Sequence, residues 1–180
     1  MRTFLREIVG TIILAVVVFF LLQITLQTFI VVGSSMEPNF HWTQRLVINK
    51  TVYHFHEPER GDVIVFEPFT DQTVDYIKRV IALPGDTVEV KQGIVYVNGS
   101  PLDEPYIEEP AREDFASDTI PDENYFVIGD NRNNSNDSRN GWTVPRQKII
   151  GKVWLSIWPP DQWGIVAHYP LQEQLVSPAE

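Results

Sequence analysis

The strongest constraint on the fold is an uncharged segment near the N-terminus. Residues 8–36 contain no Asp, Glu, Lys or Arg, and residues 12–22 at the centre are entirely apolar. A helix over residues 8–30 would be about 35 Å long at a rise of ~1.5 Å per residue, enough to cross a hydrocarbon core of ~30 Å. The run is apolar on all sides, and no other segment is suited to wrap it. The sequence therefore predicts a transmembrane anchor at residues 8–32.

A cleaved signal peptide is the alternative to a retained anchor. Its apolar region would be shorter and would end in a small-x-small cleavage site, and no good Ala-x-Ala follows Leu22. Arg2 and Arg6 precede the helix, and positive flanks stay on the cytoplasmic side. We therefore expect a single-pass protein of a bacterial cell membrane, with residues 1–7 in the cytoplasm and the catalytic domain on the outer face.

Composition limits what the rest of the 180-residue chain is able to do. After the anchor, enough chain remains for one compact domain. The chain has no cysteine, which excludes disulfides and thiolate metal sites. The net charge is −10 and there is no basic stripe, so nucleic acid is not an expected partner. The four histidines have no metal-ligand spacing with carboxylates, and no metal or cofactor is predicted.

The outer domain has the pattern of β structure. Short apolar runs are separated by turn signals, and helical periodicity is almost absent. We predict an all-β domain of antiparallel sheets, barrel-like or sandwich-like, over residues 33–170, followed by a C-terminal tail at 171–180. An acidic stretch at about 103–124 is expected to be a solvated, inserted loop. The predicted strands are 45–50, 61–66, 74–83, 87–91, 94–97, 125–128 and 149–157.

Two residues suggest nucleophilic catalysis. Ser35 follows the anchor by a few residues, where a substrate emerging from lipid would arrive, and Gly33 permits a tight backbone beside it. Lys78 lies in the strand predicted at 74–83, where strand alternation puts it in line with Tyr76 and Val80. If that face is the core, burial lowers the pKa of the ammonium and makes it a usable base. A simple turn serine and a lysine that extends to solvent remain the alternatives.

A polar loop at residues 129–139 (GDNRNNSNDSR) is the third candidate segment. Such a loop satisfies its own backbone through Asx turns, or it orients a base, since Ser135 is able to hydrogen-bond an amine. Composition alone supports both interpretations equally.

Four segments together resemble the type I signal peptidases, the membrane-anchored serine proteases that remove signal peptides from exported proteins. The resemblance covers nearly the whole chain, and the segments occur in the family's order. They are residues 33–38 (GSSMEP), 60–66 (RGDVIVF), 76–86 (YIKRVIALPGD) and 129–139.

The resemblance implies a role for each site residue. Ser35 is the expected nucleophile and Lys78 the expected general base, with Ser135 orienting the lysine. Gly33 and Met36 are expected beside the oxyanion and the substrate, which is a preprotein signal peptide. The implied supporting pairs are Asp130 with Arg79 and Asp137 with Arg139. The family fold is all-β with a broad apolar surface against the lipid bilayer.

The chain departs from the family pattern at three positions. Gly33 lacks the hydroxyl that many relatives use to stabilise the oxyanion, so the Ser35 N–H or another donor has to do more. Asn39 replaces the usual threonine. Asn133 stands where an aspartate is frequent, which leaves the charged partner of Arg132 undefined.

Two other functions remain compatible with the sequence. One is a self-cleaving Ser/Lys protease, although the known ones carry a DNA-binding segment where this chain has an anchor. The other is a catalytically silent, membrane-tethered β domain that binds a partner through its acidic loop. The tryptophans at 42, 154, 158 and 163 form either an interfacial belt or part of a small core.

Overall fold

The computed structural model of the chain describes residues 2–67 and 74–175, without the side chains of Arg2, Thr3 and Leu5. Within these residues there is one long helix, α1 (Arg2–Thr25), and twelve strands. Five short 3-10 helices occupy Val52–His54, Ser138–Asn140, Arg146–Lys148, Pro160–Gln162 and Glu173–Leu175. The strands are β1 (Leu26–Ile30), β2 (Arg45–Asn49), β3 (Val63–Phe66), β4 (Tyr76–Ala82), β5 (Thr87–Lys91), β6 (Ile94–Val97), β7 (Ser100–Pro101), β8 (Phe115–Thr119), β9 (Asn124–Ile128), β10 (Val144–Pro145), β11 (Ile149–Trp158) and β12 (Gly164–Ile165).

The N-terminal helix is long and apolar enough to cross a membrane. Arg6–Thr25 has a mean hydropathy of 2.7, and none of it is buried against the rest of the chain. The helix is shorter at its far end than the predicted 8–30. It stops at Thr25, whose carbonyl accepts a hydrogen bond from the Lys50 N–H at 2.9 Å. Leu26–Ile30 instead forms β1, because these residues pair along their whole length with β2.

The outer part consists of two antiparallel sheets, as the sequence predicted. The larger sheet has eight strands in the order β1-β2-β11-β3-β4-β9-β10, with β12 added beside β11. The smaller sheet has four strands in the order β7-β6-β5-β8. In the smaller sheet, Gln92-Gly93 and Asn98-Gly99 all have positive φ, as tight hairpin turns require.

The acidic stretch is not simply a solvated loop. Phe115–Thr119 folds back as β8 and pairs antiparallel with β5. The next residue, Ile120, is buried and exchanges backbone hydrogen bonds with the Gly85-Asp86 turn. The strand escaped prediction because it lies at a sheet edge and its side chains are mostly exposed, so it lacks apolar alternation.

The C-terminal segment is also more ordered than the predicted tail. Leu171 is fully buried in the apolar cluster that includes Ile81 and Val88. Gln174 exchanges hydrogen bonds with the backbone of Asp103. One leucine in a polar stretch shows no periodicity, so nothing in the pattern marked it as core. Residues 176–180 lie outside the described part.

Strand β4 lies inside the larger sheet between β3 and β9, and it holds the site. Its residues are buried from Ile77 to Ala82, so both faces are covered. The predicted alternation holds up to Val80 and then fails, because the register with β9 shifts between Val80 and Ala82. Ala82 consequently packs in the same cluster as Ile81.

Candidate active site

Ser35 lies in a tight turn that starts where the chain leaves β1. Gly33 has a φ of 91°, which a side chain would disfavour. The turn is closed by hydrogen bonds from Glu37 N to Ser34 O and from Phe40 N to Met36 O. The family resemblance suggested Met36 for the substrate cleft, but Met36 is buried in an apolar cluster with Phe40. Its side chain packs into the domain interior under the turn, and it is not among the residues that line the cleft around Ser35 and Lys78.

Lys78 reaches Ser35 from the middle of the larger sheet. Its Nζ donates to Ser35 Oγ at 2.7 Å and to Ile77 O at 2.9 Å. The side chain is only 4% exposed. Burial lowers the pKa of Lys78 to about 8, although Asp137 and Asp130 act in the opposite direction. A large fraction of the lysine is therefore neutral in mildly alkaline solution. In that form the amine accepts a hydrogen bond from the Ser35 hydroxyl across the same Nζ–Oγ contact.

An open cleft of about 450 Å³ surrounds the two side chains. One wall is the chain leading to the nucleophile, residues 32–35, and the opposite wall is the start of β4 with the residues before it, 74–78. Asn134 and Asn136 of the polar loop complete the lining. A groove between the turn that carries Ser35 and the first residues of β4 has room for an extended peptide beside the strand.

The polar loop is held by the two ion pairs that the resemblance implied, one fully buried and one partly buried. Arg79 donates to both carboxylate oxygens of Asp130, at 2.8 and 2.7 Å. Arg139 does the same to Asp137, at 2.8 Å for each bond. Burial alone would lower the pKa of Arg79, but the Asp130 carboxylate raises it above its ordinary value.

The same loop is attached directly to the nucleophile turn. Asn131 N donates to Ser35 O at 3.0 Å, and Asn131 Nδ2 donates to Ser34 O at 3.2 Å. Gly129 allows this close approach, because a Cβ there would collide with Ser35 O and Ser135 Oγ. Within the described residues the Ser35 N–H makes no hydrogen bond, so it is available to an oxyanion.

Ser135 does not form the hydrogen bond that the sequence suggested. Its Oγ is buried and has no partner among the described residues. The Lys78 amine is directed at Ser35 Oγ and Ile77 O instead. The loop does bring Ser135 beside Gly129 and the nucleophile turn, so the serine is near the site without a hydrogen bond to the lysine.

Sequence reasoning missed the partner of Arg132. Its two terminal guanidinium nitrogens, Nη1 and Nη2, donate to the carboxylate of Glu104 at 2.7 and 2.6 Å, and the pair is almost fully buried. Glu104 also accepts from the Tyr106 hydroxyl at 2.6 Å. Asn133 takes no part in this pair and binds Glu109 and Pro110 instead. Glu104 belongs to a stretch of many carboxylates, and nothing in the sequence distinguishes it from its exposed neighbours.

A second group of ionisable residues lies away from the cleft. The carboxylate of Asp62 is buried, accepts from the Tyr53 hydroxyl at 2.8 Å and pairs with Lys152. His168 Nδ1 is 3.4 Å from the same carboxylate, and Glu59 lies nearby. The sequence spacing gave no sign that His168 would meet carboxylates. Because Lys152 already compensates Asp62, the group is explained as an ion-pair network.

A buried lysine hydrogen-bonded to a partly buried turn serine, in an antiparallel β domain that follows an apolar helix, is an arrangement suited to a serine peptidase. Comparison with known proteins gives the family. The family model described as signal peptidase, peptidase S26, matches residues 5–158. The chain therefore belongs to the signal peptidase family.

Curated relatives extend over most of the chain. A probable signal peptidase I-1 of Synechocystis sp. is 48% identical over 73% of this chain and 71% of its own length. A probable signal peptidase I-2 of the same organism is 42% identical over 81% of this chain and 72% of its own. Signal peptidase I of Bacillus licheniformis is 38% identical over 86% of this chain and 89% of its own.

Proposed function

We propose that this chain cleaves signal peptides from exported preproteins with Ser35 as nucleophile and Lys78 as general base. Neutral Lys78 removes the proton of Ser35 Oγ, and the oxygen attacks the scissile carbonyl. The tetrahedral intermediate collapses as Lys78 gives that proton to the leaving amine. A water deprotonated by Lys78 then hydrolyses the ester, and the proton returns to Ser35. Every proton is passed through one amine.

The contact between Lys78 Nζ and Ser35 Oγ carries this proposal. At 2.7 Å the two groups are within the range for direct proton transfer. The lysine is buried, so loss of its charge is favoured, while the serine faces an open cleft. The Ser35 N–H is the first oxyanion donor, which compensates in part for the missing hydroxyl at Gly33.

The substrate is proposed to bind as an extended strand between residues 32–35 and 74–78. Backbone groups of both walls would pair with it, and shallow apolar pockets would accept small side chains near the scissile bond. Val32, Val74 and Ile77 supply apolar surface in the cleft. The peptide would reach this groove as it leaves the lipid beside the anchor.

The anchor is proposed to place the catalytic domain outside the cytoplasm. Arg2 and Arg6 at the start of α1 favour a cytoplasmic N-terminus by the positive-inside rule. A bacterial cell membrane is the expected location, and preproteins and lipid are the expected partners. Protease added to intact cells should degrade the outer domain if this orientation holds.

The central test is cleavage of an exported precursor by the detergent-solubilised protein. N-terminal sequencing of the product identifies the cleaved bond. We expect Ser35→Ala and Lys78→Ala each to abolish processing, because removing either member of such a pair costs several powers of ten in rate. Ser100→Ala is the matched control, because Ser100 lies in β7 of the smaller sheet, outside the cleft, and the variant should keep the wild-type activity.

The alternatives give different results in the same assay. Near wild-type cleavage by Lys78→Ala would refute the lysine base. A hydroxyl-directed active-site probe that fails to label Ser35 would favour a silent partner-binding domain. Cleavage of the chain itself with no cleavage of precursors would favour a self-processing protease.

A further inference from the structure

The guanidinium of Arg79 lies beside two tyrosine rings. Its Cζ is 4.1 Å from the centre of the Tyr106 ring and 5.2 Å from that of Tyr169. The two rings contact each other, with centroids 5.1 Å apart and planes tilted by 49°. A cation this close to aromatic faces is attracted by their quadrupoles, and burial strengthens the attraction.

Tyr106 comes from the stretch predicted as an inserted loop, and Tyr169 lies just before the predicted tail at 171–180. Tyr106 lies in the acidic stretch, and its hydroxyl donates to Glu104. Tyr169 lies shortly before the buried Leu171 in the C-terminal segment. The backbone there crosses Gly61 so closely that a Cβ on Gly61 would collide with Tyr169 O. The Gly61 carbonyl in turn accepts from Arg79 at 3.0 Å.

We propose that Tyr169, together with Tyr106, is a positioning residue of the active site, because the two rings fix Arg79 and Arg79 fixes Asp130 and the polar loop. This inference rests on the function proposed above. Residues 166–175 then belong to the catalytic apparatus, although they lie beyond all four segments that resemble the family.

The connection from Tyr169 to the chemistry is short. Arg79 follows Lys78 directly in β4, and it holds Asp130 through two hydrogen bonds. Asn39 Nδ2 donates to the same Asp130 at 2.8 Å, which joins the nucleophile turn to this pair. Next along the loop, Asn131 donates to Ser35 O. Movement of Arg79 would therefore move both the base and the nucleophile.

Arg79 also has an electrostatic effect on the base. Asp130 and Asp137 both favour the charged form of Lys78, and each is neutralised by an arginine. If Arg79 is less firmly held, the Asp130 charge is less compensated and the lysine keeps its proton to higher pH. The polar and charged groups near the amine are Asp130 with Arg79, Asp137 with Arg139, Ser35, Asp75 at the cleft wall and the Tyr76 ring.

The test replaces the aromatic face and keeps the apolar volume. Tyr169→Leu and Tyr169→Met remove the ring, whereas Tyr169→Phe keeps it. Tyr96→Leu is the matched control, because Tyr96 lies in β6, in the smaller sheet. Precursor cleavage is measured as kcat/KM against pH on the full chain in detergent, and circular dichroism checks that each variant is folded.

We expect the Leu and Met variants to lose about three- to tenfold in kcat/KM near pH 8, the range of a partly buried cation–π contact. Their ascending pH limb should move to higher pH, which general loss of stability would not cause. Tyr169→Phe and Tyr96→Leu should match the wild type. Having two ring-free variants keeps the test valid if one does not fold.

Two outcomes would overturn the inference. Either the ring-free variants match Tyr96→Leu in both rate and pH limb, or Tyr169→Phe loses as much as Tyr169→Leu, which would assign the effect to the hydroxyl. Lys78→Ala is assayed in parallel. Activity that survives in Lys78→Ala would refute the proposed function, whereas loss in Lys78→Ala with no effect of the ring-free variants would refute only the role of Tyr169.

Discussion

At the scale of single residues, Lys78 is acted on by two opposing influences. Burial inside the larger sheet lowers its pKa, and the carboxylates of Asp137 and Asp130 raise it. Burial is the larger influence, because each carboxylate is already bound by an arginine on both oxygens. The arginine pairs therefore have two effects. They hold the loop, and they limit how far the two aspartates raise the pKa of Lys78.

The rate of cleavage should depend on pH through the protonation of Lys78. The active form of the base is the neutral amine, and the pKa of Lys78 is about 8. Below that pH, kcat/KM should rise roughly tenfold per pH unit, because the neutral fraction rises by that factor. Above it, the rate should level off until another group titrates. The measurement is kcat/KM for a precursor peptide, which reports the free enzyme.

A rate that stays constant from about pH 5 to about pH 9 would contradict a lysine base. Thermal unfolding measured over the same pH range is the control. It separates titration of the base from acid unfolding, which would also lower the rate on the acidic side.

The site was only partly predictable from the sequence, for physical reasons. The pairing of Ser35 with Lys78 followed from the family resemblance, whereas strand alternation only put Lys78 in line with Tyr76 and Val80, because β4 is regular up to Val80. The Glu104–Arg132 pair depends on how a loop folds back, which no local pattern encodes. The Ser135 hydroxyl has no hydrogen-bond partner among the described residues because of the direction of its side chain in an irregular loop. Residue identity does not fix that direction.

At the scale of elements, the junction between helix and sheet is the main departure from expectation. An apolar run predicts a helix as long as it remains apolar, and the polar residues from Gln23 onward dilute it. Backbone pairing with β2 then offers Leu26–Ile30 an alternative set of hydrogen bonds. Phe29 and the following Val31 are buried in the apolar cluster that holds Met36. Strands β2–β6, β9 and β11 were predicted from their apolar runs, whereas β1, the two-residue strands and the edge strand β8 were not.

A pair of truncations tests the structural role of this junction. Deleting residues 2–25 removes the helix and leaves β1, so the outer domain should fold and keep peptidase activity in solution. Deleting residues 2–30 also removes β1 and the buried Phe29. The second deletion should cost on the order of 3 kcal/mol or more of unfolding free energy, as losses of buried phenylalanine do.

Thermal unfolding followed by circular dichroism makes the comparison, with a peptide cleavage assay beside it. Because the two proteins differ only in residues 26–30, any difference between them belongs to β1. Equal melting temperatures would mean that β1 is an accessory strand and that the turn of Ser35 is held without it.

At the scale of the whole molecule, exposed apolar side chains occur on the outer domain as well as on the helix. Trp158, Trp163 and Ile165 are 51%, 66% and 76% exposed, which rules out the core interpretation for these tryptophans. Trp158 is the last residue of β11, Ile165 belongs to its short partner β12, and Trp163 directly precedes β12. Trp158 and Ile30 both pair with Arg45 of β2, so the surface reaches the end of β1 that leads to the nucleophile. Several large apolar side chains exposed on one part of a domain are typical of a contact with lipid or protein.

We expect this surface to lie against the bilayer, with tryptophan rings at the headgroup level. In vesicles made with brominated lipids, the full-length protein should lose a substantial part of its tryptophan fluorescence by contact quenching. Replacing Trp158 and Trp163 together by Phe should remove most of the quenched fraction. Trp142→Phe is the matched control, because Trp142 is half-buried and packs against Phe66 inside the domain. Tryptophan emission that is unchanged by brominated lipid would show that this face does not touch the membrane. The substrate would then have to move from the lipid to a cleft that lies away from the membrane surface.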